Sequence, residues 1–259
     1  MNITKRKNIL KNLKRVVVKV GTRLLTDELE IPLLIPQIAS LRNKGYDVIL
    51  VSSGAVGMGM KAINLEERPA ELAKKQALAA IGQSKLMAKY EEECSKFNFH
   101  SAQLLLTADA LLDLERANNI ENCINSLLED NILPIINEND SVATEELKFG
   151  DNDTLATKVA VSINADLLIL LTTVDGLHSV VNGELDKRIS VVENIDKDIE
   201  ALAKDSDDEF SIGGMKSKLD AAKIAMKNNL TMWIADGREL NIVDKILNNE
   251  DVGTIFIKG

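Results

Sequence analysis

Three short stretches carry residues whose types and spacing suit chemistry. In "RVVVKVG" (15–21), Lys19 interrupts an otherwise apolar, β-branched run. A buried ammonium is costly unless it is paired or reaches a cavity. The Gly21–Thr22 step behind it would let phosphate oxygens approach the backbone. The competing structural reading is a lysine snorkelling from a strand end. In "FGDNDTLATKVA" (149–160), Asp151 and Asp153 flank Asn152 just ahead of an apolar-periodic run. One acid is enough to cap a helix, so the second carboxylate is available to organise cations from elsewhere. In "SIGGMKSKLDAA" (211–222), Gly213 and Gly214 precede a helix whose first turn carries Lys216 and Lys218. Cations there oppose the helix dipole, a conflict that a bound polyphosphate would remove. The chemistry these groups suit is phosphoryl transfer, which needs positioning and positive charge more than a general base.

Two further strand ends carry polar or glycine-rich sets. "VSSGAVGMGM" places Gly54, Gly57 and Gly59 after a strand, where backbone N–H groups could cradle an anion. The spacing is GxxGxG, and no acid ends a second strand about twenty residues on, which disfavours a dinucleotide fold. Tight packing is the alternative role for such glycines. "PIINENDSVATEELKFGDND" supplies Asn137, Asn139 and Asp140 directly after a strand, with Asn152 and its flanking acids a short way on. Amides and carboxylates of this kind could bind an amino-acid ammonium and hold lysines in place. A metal site is also open, although kinase Mg²⁺ is often held by phosphate oxygens.

These groups need a scaffold that brings distant strand ends together. Apolar runs at "RVVVKVG", "DVILVSS", "HSAQLLL", "ILPII", "DLLILLT", "TMWIA" and "GTIFI" read as strands. Between them lie helical patterns: about Pro32 to Lys44, closed by Gly45; about Ala70 to Phe97; Leu114 to Leu128; a stripe of Leu155, Val159 and Ile163; and "ELNIVDKIL". Such alternation predicts an α/β fold, a three-layer sandwich with a mostly parallel central sheet and helices on both faces. Ligands then gather at the carboxyl ends of the strands. "DKDIEALAKDSDDEF" reads as a solvated helix and a mobile loop.

At 259 residues, with 45% hydrophobic and 27% charged residues, the chain suits one α/β domain or two lobes. Its net charge of -9 disfavours nucleic acid as a main partner. The basic N-terminal "TKRKNILKNLKR" reads as a short amphipathic surface helix through Ile9, Leu10 and Leu13. Two distant cysteines, Cys94 and Cys123, and only two histidines, His100 and His178, argue against a zinc site, a disulfide framework or a histidine triad. No run is apolar enough to span a bilayer and no secretory signal is present, so a cytoplasmic location is expected.

Taken together, "VVVKVGT", "VSSGAVG", "LPIINENDSVA", "FGDND" and "GGMKSKLDAAKIA" resemble the glutamate 5-kinase branch of the amino acid kinase family. The resemblance spans nearly the whole chain, and "INEND" followed by "GDND" is its most specific part. It implies one amino acid kinase domain over 1–259, with a glutamate-binding lobe at about 1–165 and a nucleotide-binding lobe at about 166–259. The implied reaction converts ATP and L-glutamate to L-glutamyl 5-phosphate, with Mg²⁺ held mainly by ATP phosphates. Lys19 and Lys218 match the lysines that stabilise the transferring phosphoryl group, and Asp153 matches the aspartate that holds them. Ser53, Gly54, Ala55, Asn137, Asp140 and Asn152 correspond to glutamate-binding positions. Lys19, Gly21, Thr172, Thr173 and the run Ile212, Gly213, Gly214, Met215, Lys216, Ser217 and Lys218 correspond to the nucleotide site. Proline as feedback inhibitor and a homodimer or homotetramer are also implied. The chain departs from the family at Thr173, where an acid is usual, and around "DSDDEFSIGG", and the PUA domain of many relatives is not expected here. Other kinases of this fold, or a non-catalytic glutamate or proline sensor, are the competing readings.

Overall fold

β-branched and leucine-rich runs bounded by turn residues form the strands, and the computed structural model describes residues 9–25, 31–107, 109–143, 152–181, 184–202 and 214–258. In chain order the strands are β1 (Arg15–Val20), β2 (Asp47–Val51), β3 (Ser101–Leu106), β4 (Leu133–Glu138), β5 (Leu167–Thr172), β6 (His178–Val181), β7 (Glu184–Arg188), β8 (Val191–Val192), β9 (Thr231–Asp236) and β10 (Thr254–Phe256). The helices are α1 (Ile31–Asn43), α2 (Ala55–Ala62), α3 (Leu72–Ser95), α4 (Leu114–Glu129), α5 (Asn152–Ser162), α6 (Lys197–Ala201), α7 (Met215–Lys227) and α8 (Ile242–Leu247). One eight-stranded sheet runs β3-β4-β2-β1-β5-β9-β10-β8. It is parallel from β3 to β9, and β10 pairs antiparallel with β9.

Strand alternation divides the core into two layers. Val16, Val18 and Val20 of β1 face one side, where Leu34, Ile35 and Ile38 of α1, Leu86 and Tyr90 of α3, and Ile242 and Ile246 of α8 pack. Val17 faces the other side, against Leu155 and Val159 of α5 and Leu219 and Ala222 of α7. The expected three-layer sandwich is therefore present, with its helices on both faces. β1 is hydrogen-bonded to β2 on one side and β5 on the other, so the two halves of the chain share one sheet.

Three features differ from the sequence expectation. The hairpin β6–β7 and the short β8 were not expected, because "HSVV" and "ELDKR" are exposed or half-buried and lack an apolar period. The glycine-rich "GAVGMGM" is not an open loop: Gly57 and Gly59 lie inside α2. A Cβ on Gly59 would sit 2.0 Å from the Leu78 carbonyl oxygen, and one on Gly82 would sit 1.8 Å from that of Ala55. These glycines let α2 and α3 press backbone to backbone. The last helix is shorter than "ELNIVDKIL", because Asn241 adopts a left-handed conformation and α8 starts after it.

Elsewhere the N-terminal Ile9, Leu10 and Leu13 pack on the core around a short 3-10 turn, Leu10–Asn12. The expected solvated helix is α6, capped by Asp196. The loop expected after it, at 203–213, lies outside the described residues. No helix among the described residues is long and apolar enough to cross a membrane.

Gly82→Ala should destabilise the fold by about 3 kcal/mol, the upper range for overpacking, since both contacts are backbone and neither helix can yield alone. Chemical denaturation of the variant measures this, and a loss below ~1 kcal/mol would contradict the close approach.

Candidate functional site: a buried lysine–aspartate–lysine bridge beside an amide cluster

Lys19 lies near the carboxyl end of β1, in register with Val51 of β2 and Leu170 of β5. It shares the face of Val17 by alternation, so its side chain leaves the sheet on the side of α5 and α7. There it meets Asp153, in the first turn of α5, with Nζ 2.5 Å from Oδ1. The other oxygen of Asp153, Oδ2, lies 3.1 Å from Nζ of Lys218 in the first turn of α7. Lys19, Asp153 and Lys218 are 5%, 0% and 5% exposed. One carboxylate thus bridges two buried cations, so these three groups by themselves carry two positive charges to one negative. Such a surplus at two helix N-termini suits an anion.

The amide cluster lies on the other flank of Asn152. Its Nδ2 donates to the Ser52 carbonyl (3.0 Å), to Oγ of Ser53 (2.8 Å) and to Oδ1 of Asn137 (3.2 Å). Asn137 is in strand β4, not after it, and is buried. Its Oδ1 also accepts from the Glu138 N–H (2.9 Å), and its Nδ2 donates to Oε1 of Gln83 on α3 (2.9 Å). Gly54 takes φ +92 at the head of α2, a left-handed conformation that glycine adopts without strain, and Ala55 begins the helix. Beneath them Ser52 and Tyr90 share a 2.8 Å hydroxyl–hydroxyl hydrogen bond. Burial drives the Tyr90 phenol well above its ordinary pKa, with the Ser52 bond opposing only in part, so it stays a neutral partner. A small open cleft is lined here by Ala55, Ala79, Gln83, Leu105 and Glu138 to Ser141, including Asp140.

The remaining expected positions lie across β1, β5 and β9. The Gly21 N–H donates to the Leu171 carbonyl at 3.3 Å, and a Cβ on Gly21 would sit 3.8 Å from Lys19 Nζ. Thr172 ends β5 opposite Asp236, and its carbonyl accepts from Gly237 (2.8 Å). The Thr173 carbonyl accepts from Arg238, whose guanidinium also grips Asp236 through two nitrogens. Burial raises the Asp236 carboxyl, but the Arg238 hydrogen bonds outweigh it and hold the group below the usual range. Gly214 caps α7 without a side-chain bond and Ser217 donates back to its carbonyl. Lys216 is exposed and separate from the buried bridge, unlike Lys218.

The structure therefore brings together Lys19, Asp153 and Lys218, and beside them Ser53, Asn137 and Asn152. Asp151, Ile212 and Gly213 lie outside the described residues. Gln83, Ser52, Tyr90 and the Asp236–Arg238 pair were not anticipated. Gln83 sits in a helical run with no local signal, and the Ser52 contribution is a backbone carbonyl. Among the described residues there is no cluster of three or more His, Cys, Asp or Glu side chains that could hold a metal.

The sequence profile of the amino acid kinase family matches residues 14–236. The chain belongs to the amino acid kinase family. A glutamate 5-kinase of Clostridium acetobutylicum is 41% identical over 97% of this chain and 97% of its own length. One from Enterococcus faecalis is 41% identical over 98% of both chains, and one from Caldanaerobacter subterraneus is 45% identical over 94% of this chain and 68% of its own. These relatives place this amino acid kinase in the glutamate 5-kinase branch. Among solved structures, the carbamate kinase of Giardia matches with a TM-score of 0.64 at 18% identity over 96% of this chain. The UMP kinase of Ureaplasma parvum gives 0.61 at 16% over 95%. Both share the amino acid kinase fold.

In this amino acid kinase the bridge has a thermodynamic signature. Asp153→Asn removes the carboxylate that bridges the two buried lysines and should cost about 3–5 kcal/mol of stability. Adding Lys19→Met should restore part of that loss, because the uncompensated cation is then gone. Strict additivity in a urea-denaturation double-mutant cycle would contradict the bridge.

Proposed function

We propose that the protein transfers the γ-phosphoryl group of ATP to the γ-carboxylate of L-glutamate, giving L-glutamyl 5-phosphate and ADP. The observation that carries this reading is the Lys19–Asp153–Lys218 bridge beside an amide cluster, in a chain over 40% identical to glutamate 5-kinases. The γ-carboxylate has an unperturbed pKa of about 4.3, so it is an anion at neutral pH and needs no general base. One of its oxygens attacks the γ-phosphorus, and the bond to the bridging oxygen of ADP breaks. Lys19 and Lys218 neutralise charge on the transferring group, and Asp153 fixes their spacing. Mg²⁺ accompanies ATP as part of the substrate, held mainly by its phosphates.

Ser53, Gly54, Ala55, Asn137, Asp140 and Asn152 are assigned to glutamate, with Asp140 toward its ammonium. Gly21, Thr172, Thr173 and the N-terminus of α7, from Gly214 to Lys218, are assigned to the nucleotide. This divides the single sheet into a glutamate lobe at about 1–165 and a nucleotide lobe at about 166–259. The acyl phosphate is the first intermediate toward proline in a cytoplasmic pathway. Proline has the α-carboxylate and cationic amine of glutamate but no γ-carboxylate, so it fits the amino-acid end of the pocket without reaching the lysines. A homo-oligomer is the expected assembly.

Protein supplied with Mg-ATP and L-glutamate should release ADP and form an acyl phosphate trapped by hydroxylamine. Equal turnover of N-acetylglutamate would reject the assignment. Lys19→Ala and Lys218→Ala should each lower kcat by about 10²–10³ with little change in the glutamate KM, as for loss of a transition-state donor. A change confined to KM would place the lysines outside the chemical step.

Proline should inhibit competitively with glutamate and not with ATP. Noncompetitive inhibition in initial-rate measurements would require a separate site for proline.

A further inference from the structure

We infer that Gln83, a residue of α3 outside the set assigned above, is a positioning residue that holds Asn137 in place at the inner end of the amide cluster and so supports the affinity for the amino-acid substrate. The inference rests on the proposed glutamate site. Two backbone groups fix the orientation of the amides unambiguously. The Glu138 N–H can only donate, so the Asn137 oxygen it meets at 2.9 Å is the acceptor and Nδ2 must point the other way. The Ser52 carbonyl can only accept, so the Asn152 group it meets at 3.0 Å is Nδ2. Asn152 Nδ2 also reaches Asn137 Oδ1, which gives a directed chain from Asn152 through Asn137 to Gln83.

The two ends of that chain differ in kind. At the inner end, Gln83 is buried, and its Oε1 receives Asn137 Nδ2 at 2.9 Å. At the outer end, Oδ1 of Asn152 is itself buried and has no hydrogen-bond partner among the described residues. A buried acceptor without a donor is costly, and an ammonium or amide N–H from a ligand would satisfy it. The chain thus commits the NH₂ of Asn152 to Ser52, Ser53 and Asn137 and leaves its oxygen as the group to which a substrate amine could donate. Gln83 is held for this task by its neighbour: Gly82 lies so close to Ala55 and Gly59 that α3 cannot shift along α2. Without Oε1, Asn137 Nδ2 loses its buried acceptor, and Asn137 gains reason to turn and release Asn152.

The test compares Gln83→Met, which keeps volume and removes the acceptor, with Gln83→Glu, which keeps an acceptor oxygen. Gln83→Met should raise the KM for L-glutamate about tenfold, equivalent to ~1.4 kcal/mol, while kcat and the KM for ATP stay within about twofold. Gln83→Glu should give a glutamate KM closer to the wild type than to Gln83→Met. If Gln83→Met does not fold in a thermal melt, Gln83→Ala takes its place with the same expectation. An unchanged glutamate KM, a loss shared equally by ATP and kcat, or no rescue by Gln83→Glu would each overturn the positioning role. Wild-type protein that does not consume ATP with glutamate would overturn the proposed function, and this inference with it. Normal wild-type turnover with an unaffected Gln83→Met would overturn this inference alone.

Discussion

The bridge from Lys19 through Asp153 to Lys218 is the interaction on which the site depends, because each partner makes the others tolerable. An isolated buried ammonium or carboxylate carries a desolvation cost of several kcal/mol. Here the two carboxylate oxygens are divided between two lysines that come from a strand and a separate helix. The bridge therefore ties β1, α5 and α7 at one point. Three charged residues thereby occupy the interior of a protein whose overall charge is -9. Charge repulsion across the surface does not prevent anion binding when the cations are local and shielded from water.

Where that point falls is decided by the sheet. A parallel arrangement from β3 to β9 turns all the strand ends toward one edge, so residues after β1, β2, β4 and β5 become neighbours. Strand alternation then selects the layer: Lys19 follows Val18 and leaves on the face of Val17, where α5 and α7 pack. The same alternation places Val16, Val18 and Val20 beneath α1 and α3. A one-residue slip in β1 would bury the lysine under the wrong layer and expose the valines to the charged site.

The amide cluster obeys a different constraint, hydrogen-bond accounting in a buried space. Asn137, Asn152, Gln83 and Ser53 satisfy one another and two backbone groups. Among the described residues the Asn152 oxygen has no donor. A rigid support is needed for such a network, since a half-satisfied polar cluster is worse than an apolar one. The close α2–α3 approach at Gly59 and Gly82 supplies that rigidity.

The sequence by itself determined the layer architecture and the identity of the charged groups. Continuous β-branched runs can be buried only in a covered parallel sheet, and a lysine inside one must find a partner. One helix end was read from the sequence, at Gly45; left-handed Asn64, Asn98, Asn131, Asn164, Asn229 and Asn249, each two or three residues past a helix, play the same part in the structure. Three things depended on tertiary structure. "GAVGMGM" became a helix because packing against α3 rewards glycine where an isolated helix would penalise it. Lys216 and Lys218 are chemically alike along the chain, yet only the rotation of α7 turns Lys218 toward Asp153 and leaves Lys216 in solvent. Gln83 entered the site through a contact 54 residues away along the chain. Local pattern records the period of burial, but it does not record which distant group a polar side chain will meet, because that depends on the stacking of strands and helices in space.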